Sequence, residues 1–178
     1  EADIRDRSAL DAAFGRYRPD VVVHLAAMAG VRPSIENPKL YTDVNTIGTV
    51  NILDAAVSHK LSRFVLASSS SVYGNNDKVP FSETDAVDHP ISPYAATKKA
   101  CELMTHTYHH LYNISVTCLR FFTVFGPRQR PDLAIATFLS RLANDQTILV
   151  FGDGSMSRDY TYVDDIVSGI IAAIDRCG

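Results

Sequence analysis

Three short apolar runs, VVVHLA (21–26), RFVLASS (63–69) and SVTCLRFF (115–122), are separated from one another by segments of helical period. The runs are rich in β-branched and aromatic residues and nearly free of polar ones, the pattern of strands covered on both faces. A fourth run, ILVFG (148–152), reads as a further strand. Helical patterns fall at 8–17, 39–59, 93–111, 133–144 and 164–176. Pro93 suits the first turn of a helix with Ser92 as its N-cap, and Asp164 is placed to cap the last helix. Such alternation predicts right-handed crossovers and a doubly wound, parallel α/β sheet. The segments 70–92 and 123–132, rich in Gly, Pro, Asn and Asp, read as long loops. Both come after the carboxyl end of a strand, which is where open α/β sheets take ligands.

Composition narrows the function by exclusion. The 178 residues are 46% hydrophobic and 21% charged, enough for a sizeable core. A net charge of −3 gives no electrostatic footprint for nucleic acid or an anionic membrane surface. No apolar run approaches the roughly 20 residues needed to cross a bilayer, and the opening EADIRDRSAL has no signal-peptide core. Cys101, Cys118 and Cys177 are odd in number and lack metal spacing, which predicts reduced packing thiols in a cytoplasmic protein. His24 sits inside an apolar run and reads as a core histidine. His106, His109 and His110 share a helix with no acid or cysteine at ligand spacing, so no metal is expected.

Two places carry candidate chemistry. In LASSSSVYG an apolar strand runs into four serines. Their hydroxyls could donate to a substrate oxygen above the sheet, or they could satisfy backbone groups of a loop. In SPYAATKKA, Tyr94 and Lys98 stand four apart and so project from one helical face. A free phenol, with a pKa near ~10, is a poor base at neutral pH. A nearby ammonium favours the phenolate and brings it toward a useful range. An exposed tyrosine beside a solvated lysine is the plain alternative. Position one crossover after the serine-ended strand favours the proton-transfer pair.

The ordered set DIRD, VVVHLAAMAGV, YTDVNTIGTVNIL, RFVLASSSSVYG, SPYAATKKA, LRFFTVFGPRQRPD and FGDGSMSRDYTYVDDI resembles the extended short-chain dehydrogenase/reductase family. Within it the chain is similar to the nucleotide-sugar 4-epimerases, and the likeness runs from the first residues to the last. The resemblance implies a Rossmann-like sheet over 1–122 that binds NAD, and a substrate-binding region, mixed with returning Rossmann elements, over 123–178. It implies Tyr94 as acid/base, Lys98 as its electrostatic partner and ribose contact, and Ser69 as donor to the sugar 4-oxygen. Oxidation and re-reduction on NAD would then invert carbon 4 of a UDP-sugar. Asp3 and Ile4 match the adenine contacts, Ala26, Ala27 and Met28 the loop against the cofactor ribose and phosphates, and Asn45 the helix asparagine supporting that side. Arg158 matches the arginine on the sugar-nucleotide diphosphate, Phe151 the aromatic beside uracil, and Arg130 a second nucleotide or gating contact.

The resemblance also separates reactions. Family members that dehydrate the sugar carry an acidic pair where this chain has Ser70 and Ser71, and decarboxylating members have glutamate at Ser71. Neither acid is present, which favours plain epimerisation. Threonine at 123, where glucose/galactose epimerases usually carry asparagine, together with AMAGVRPS, SSSSVYG and GPRQRPD, resembles the UDP-glucuronate 4-epimerases. The hydroxyls of Ser70, Ser71 and Thr123 would receive the carboxylate. UDP-glucose is the alternative substrate. No G-x-G-x-x-G or G-x-x-G-x-x-G occurs, and the chain opens with what looks like the end of a strand. The expectation is a fragment lacking a leading βαβ unit of roughly 30 or more residues. Such a fragment would be inactive alone, or a non-catalytic nucleotide-sugar-binding piece, with homodimerisation through the 39–59 and 93–111 helices in the full-length form.

Overall fold

RFVLASS becomes the middle strand of a three-stranded sheet because every residue from Phe64 to Ser69 finds cover. The computed structural model describes residues 2–150, 152–155 and 157–177. They form two compact units, Glu1–Phe121 with Ile170–Gly178, and Phe122–Gly169.

In the first unit, α1 (Arg7–Tyr17) leads to β1 (Val22–His24), then to two short helices, α2 (Val31–Glu36) and α3 (Pro38–Tyr41). A π-helical turn, Thr42–Ile47, joins α3 to α4 (Gly48–Ser58). β2 (Arg63–Ser69) runs into a 3₁₀ turn, Ser70–Tyr73, and a long loop precedes α5 (Pro93–Tyr112) and β3 (Ser115–Phe121). The strands pair in the order β1-β2-β3, all parallel, with His24 opposite Leu66 and Ser68 opposite Arg120. Parallel pairing puts all three carboxyl ends on one edge.

Both faces are packed, as the near-continuous apolar runs require. Phe64 and Leu66 face α1, α4 and α5 and join Leu10, Phe14, Ile52, Leu53 and Ile114 in the larger core. Val65 points the other way and meets Ala173 and Cys177 near the end of α7 (Val163–Arg176), with Val21, Val23, Leu119 and Ile174 around it. The three cysteines are free thiols, with Cys101 and Cys177 buried. His24 is 5% exposed and bonds Thr49 Oγ1 through Nε2 at 3.0 Å.

The second unit pairs β4 (Thr123–Phe125) with β5 (Tyr160–Tyr162) in parallel, and α6 (Ala134–Ala143) lies between them in sequence. Phe125 stands edge-on to Tyr160 and Tyr162. The sequence reading of this region needs correction. Residues 148–150 of ILVFG are not strand, and Leu149 and Val150 are more than half exposed. A parallel strand exists only where a neighbour offers a hydrogen-bond ladder, and that pairing is made instead by 123–125 and 160–162. The first of these lies in a segment whose composition reads as loop. The helix expected over 39–59 is also divided, because its middle is a π turn.

Phe64→Ala, emptying a site of 0% exposure in the central strand, is expected to lower unfolding free energy by about 3–5 kcal/mol in chemical denaturation. Burial, helped by the charge of Lys98, pushes the His24 pKa down to about 4. The unfolded imidazole takes its proton near ~6.5, whereas the folded one stays neutral. Stability is therefore full above that value and falls as pH drops toward 4, by up to ~3 kcal/mol. His24→Gln should flatten this acid limb in melts recorded between pH 7 and pH 4.

Candidate active site at the carboxyl ends of the strands

Helix α5 begins where SPY says it should. Ser92 Oγ accepts the Ala95 N–H at 3.1 Å, and Pro93 occupies the first turn, where its missing donor is not needed. This start fixes the phase of the helix, and Lys98 falls on the face against β2. Its side chain is 6% exposed and Nζ donates to the Ala67 carbonyl at 2.7 Å. Burial holds the Lys98 pKa below the usual lysine value. Tyr94, one turn earlier on the same stripe, is half-buried. Its ring meets that of Tyr41 edge-on at 6.2 Å, and the Tyr41 hydroxyl donates to the Ala29 carbonyl at 2.9 Å.

β2 ends in Ser69, whose Oγ accepts the Ser71 N–H at 3.2 Å and caps the 3₁₀ turn. A hydroxyl used as acceptor keeps its own proton to donate. Ser70 and Ser71 are half-buried within that turn. Gly74 closes it at φ +60°, and a Cβ there would stand 2.6 Å from the His89 carbonyl oxygen. The serine tract thus caps a turn at the end of the strand.

In the loop after β1, one side chain holds both main-chain groups of Met28. Asn45, 1% exposed, donates from Nδ2 to the Met28 carbonyl at 3.0 Å and accepts the Met28 N–H at Oδ1 at 2.7 Å. Nδ2 also donates to Thr97 Oγ1 at 3.1 Å, and Thr97 donates in turn to the Tyr94 carbonyl at 2.9 Å. Asn45 therefore ties the 26–28 loop to the turn of α5 that carries Tyr94. The π turn makes this possible. Within it the Asn45 carbonyl accepts from the Gly48 N–H, from Thr49 Oγ1 at 2.5 Å and from Cys101 Sγ at 3.2 Å. The turn also lets Gly48 lie against Ile4, whose Cδ1 would be 2.5 Å from any Cβ. Thr49 spends its proton on that carbonyl, so His24 Nε2 is the donor in their mutual bond.

The structure brings Ser69, Ser70, Ser71, Tyr94, Lys98, Asn45 and the 26–28 loop into one unit at the strand ends. Ala26 is exposed and Ala27 and Met28 are half-buried, leaving main chain approachable. Asp3 is exposed and Ile4 part-buried, just before α1. The Arg5 guanidinium grips the Asp3 carboxylate, holding its pKa at about 2, and Ile4 packs against the larger core. In the second unit, taken by itself, Thr123 and Arg158 line a cavity of about 650 Å³ together with Gln129, Phe138, Arg141 and Tyr160. Arg158 is exposed and donates to its neighbour Ser157 O. Arg130 is outside that lining and forks onto Asp132 at 2.8–3.0 Å. Phe151 lies outside the described residues.

Sequence reasoning missed Tyr41, Thr97, Glu102 and Arg120. Glu102 continues the Tyr94–Lys98 stripe by one more turn, and Arg120 is the one charge inside the SVTCLRFF run. Both were visible signals. Asn45→Leu would leave both polar groups of Met28 unpaired. The expected cost is about 1–3 kcal/mol, with faster hydrogen exchange at the Met28 amide as the local readout.

The sequence profile of the NAD dependent epimerase/dehydratase family matches residues 1–177. The UDP-glucuronate 4-epimerase of Thermodesulfobacterium geofontis is 46% identical over 178 residues, all of this chain and 55% of that protein. Among solved structures, the Thermotoga maritima UDP-glucose 4-epimerase with UDP-glucose superposes with a TM-score of 0.94 at 35% identity, over 98% of this chain and 58% of that one. The Bacillus cereus UDP-glucuronic acid 4-epimerase, in complex with UDP-glucuronic acid and NAD, gives 0.91 at 38% identity, over 99% and 55%. The chain spans about half the length of the curated relatives it matches. Its two-sided parallel sheet is the Rossmann-like layer of those enzymes, and the chain belongs to the NAD dependent epimerase/dehydratase family.

Proposed function

We propose that the protein carrying this chain is an NAD-dependent epimerase that inverts carbon 4 of UDP-glucuronate to give UDP-galacturonate. The observation that carries the reading is the buried Lys98 ammonium, fixed on the Ala67 carbonyl one helical turn from Tyr94. A cation held there by geometry favours the phenolate of a neighbouring tyrosine at neutral pH.

The residues fit the cofactor. The clamped 26–28 loop offers main chain and small side chains, and Lys98 offers a buried cation on α5. NAD held by these residues would supply the hydride acceptor, and afterwards the hydride donor, for sugar carbon 4. Tyr94 takes the proton of the sugar 4-hydroxyl and later gives it back. Ser69 donates to the 4-oxygen, steadying it as it becomes a ketone. Lys98 keeps Tyr94 acidic and holds the nicotinamide ribose. On the family resemblance alone, Ser70, Ser71 and Thr123 would supply hydroxyls for the sugar carboxylate and Arg158 a planar fork for the diphosphate. Arg130 is a further nucleotide contact on release from Asp132. Exposed Leu103, Met104, Leu111 and Tyr112 on α5 support a homodimer through that helix. Three free thiols fit a reducing, cytoplasmic setting.

UDP-glucose is the second reading, favoured by the TM-score of 0.94 to an enzyme holding that sugar nucleotide. Incubation of the intact protein with each UDP-sugar separates the two by chromatography of the products. We expect galacturonate from glucuronate, and a fall in kcat of about 10²–10⁴-fold in Tyr94→Phe, the range lost with a general acid–base group. Conversion of glucose alone would keep the mechanism and overturn the sugar. Full activity in Tyr94→Phe would overturn the mechanism.

A further inference from the structure

Below the reactive end of β2, an ion pair of buried Glu102 and part-buried Arg120 joins three elements. Glu102 is 9% exposed on α5, one turn beyond Lys98. It accepts from Ser68 Oγ at 2.5 Å, and the Arg120 guanidinium forks onto both its oxygens at 3.0 Å. Ser68 and Arg120 are register partners in the sheet, so one carboxylate bridges adjacent strands from the helix packed on them. Arg120 continues past the pair. Its guanidinium lies 4.9 Å from the centre of the Tyr73 ring and reaches the Glu83 carbonyl. Tyr73 ends the turn that begins beside Ser69, and with Val72, Phe81 and Val87 it forms a small apolar cluster.

Neither charge has a place in the proton or hydride transfer. A buried ion pair is weak evidence of stabilisation, because apolar residues of similar size often replace it without loss. What it supplies is direction. Burial raises the Glu102 pKa, but the bonds from Arg120 and Ser68 outweigh that and leave it a carboxylate below its ordinary value. Two planar groups in a fork have one good arrangement. The cluster meets β2 at Ser68, before the catalytic Ser69, and meets the turn again at Tyr73, after Ser71.

We propose that Ser68, Glu102 and Arg120 are positioning residues that hold the Ser69–Ser71 turn in register with Tyr94 and Lys98 on α5. Ser69 must meet the same sugar oxygen as Tyr94, and the two come from different elements. Lys98 on Ala67 and Glu102 on Ser68 are two consecutive attachments of α5 to β2. The first carries the catalytic cation, and the second fixes the strand beyond it. Arg120 then clamps the far end of the turn.

This rests on the epimerase reading above, and the test separates the two. Ser68→Ala removes one bond from a buried site and should fold. Glu102→Met with Arg120→Leu replaces the pair by apolar side chains and avoids a lone buried charge. In the 178-residue chain, amide exchange at 70–73 should accelerate about ten-fold in the double variant, with the melting temperature little changed. Unchanged exchange in a folded double variant would overturn the proposal without any assay of turnover. In the intact protein, both variants should lose kcat by about ten-fold or more while KM for the UDP-sugar and NAD affinity hold, and Ser68→Thr should recover part of the loss. Wild-type kcat in a folded Ser68→Ala, with Tyr94→Phe inactive, would overturn the positioning role alone. An active Tyr94→Phe would overturn the reading of the site and this role with it.

Discussion

An ammonium group that exchanges water for a single main-chain carbonyl organises everything around it. Lys98 can bond Ala67 O only if α5 lies flat on β2 in one rotational phase. That phase is fixed locally by Ser92 and Pro93, and globally by Glu102 reaching Ser68 and Arg120. Tyr94 then falls on the same helical stripe as Lys98 by periodicity alone. Apolar packing in the larger core supplies the bulk of the adhesion, but apolar contacts tolerate sliding. Charged and forked groups do not, and here they lie in a row along one helical stripe.

The opposite side of the site is built by different means. Its loop has no regular structure, so its backbone groups need partners from elsewhere. One asparagine provides both, and it is available because the helix that carries it is locally over-wide. The π turn thus converts a polar residue that would disturb a regular helix into the brace of the 26–28 loop. Through Thr97 the same brace reaches α5, so the two halves of the site share a hydrogen-bond path rather than standing as separate structures.

How legible each part is in the sequence depends on the kind of force that fixes it. β2 was legible because burial on both faces leaves a nearly unbroken apolar run, and β3, half-buried throughout, because β-branched and aromatic residues dominate it. The start of α5 was legible because capping depends on three adjacent residues. Tyr94 and Lys98 were found from spacing, and Asn45 from resemblance. The short pairing of β4 with β5 was not legible, since three-residue strands have no period to detect and the stronger-looking run at 148–152 drew the assignment. The π turn escaped because the contacts made around it, of Asn45 with Thr49 and Cys101, span up to 56 residues. Glu102 and Arg120 were visible as isolated charges in apolar settings, but each makes sense only when the other is in view. Asp3 was readable as an acid, and only the folded chain shows Arg5 on its carboxylate.

The over-wide turn at 42–47 also says which kinds of genetic change this segment can absorb. Side-chain replacement there alters one partner at a time. Loss of a single codon is different, because a π turn holds one residue more than a regular turn between the same flanking faces. The shortened segment would wind as a regular helix and lose the widened turn on which Asn45 sits. The loop at 74–91 has no such turn to protect. Length, rather than chemistry, is the quantity that the 42–47 segment must conserve.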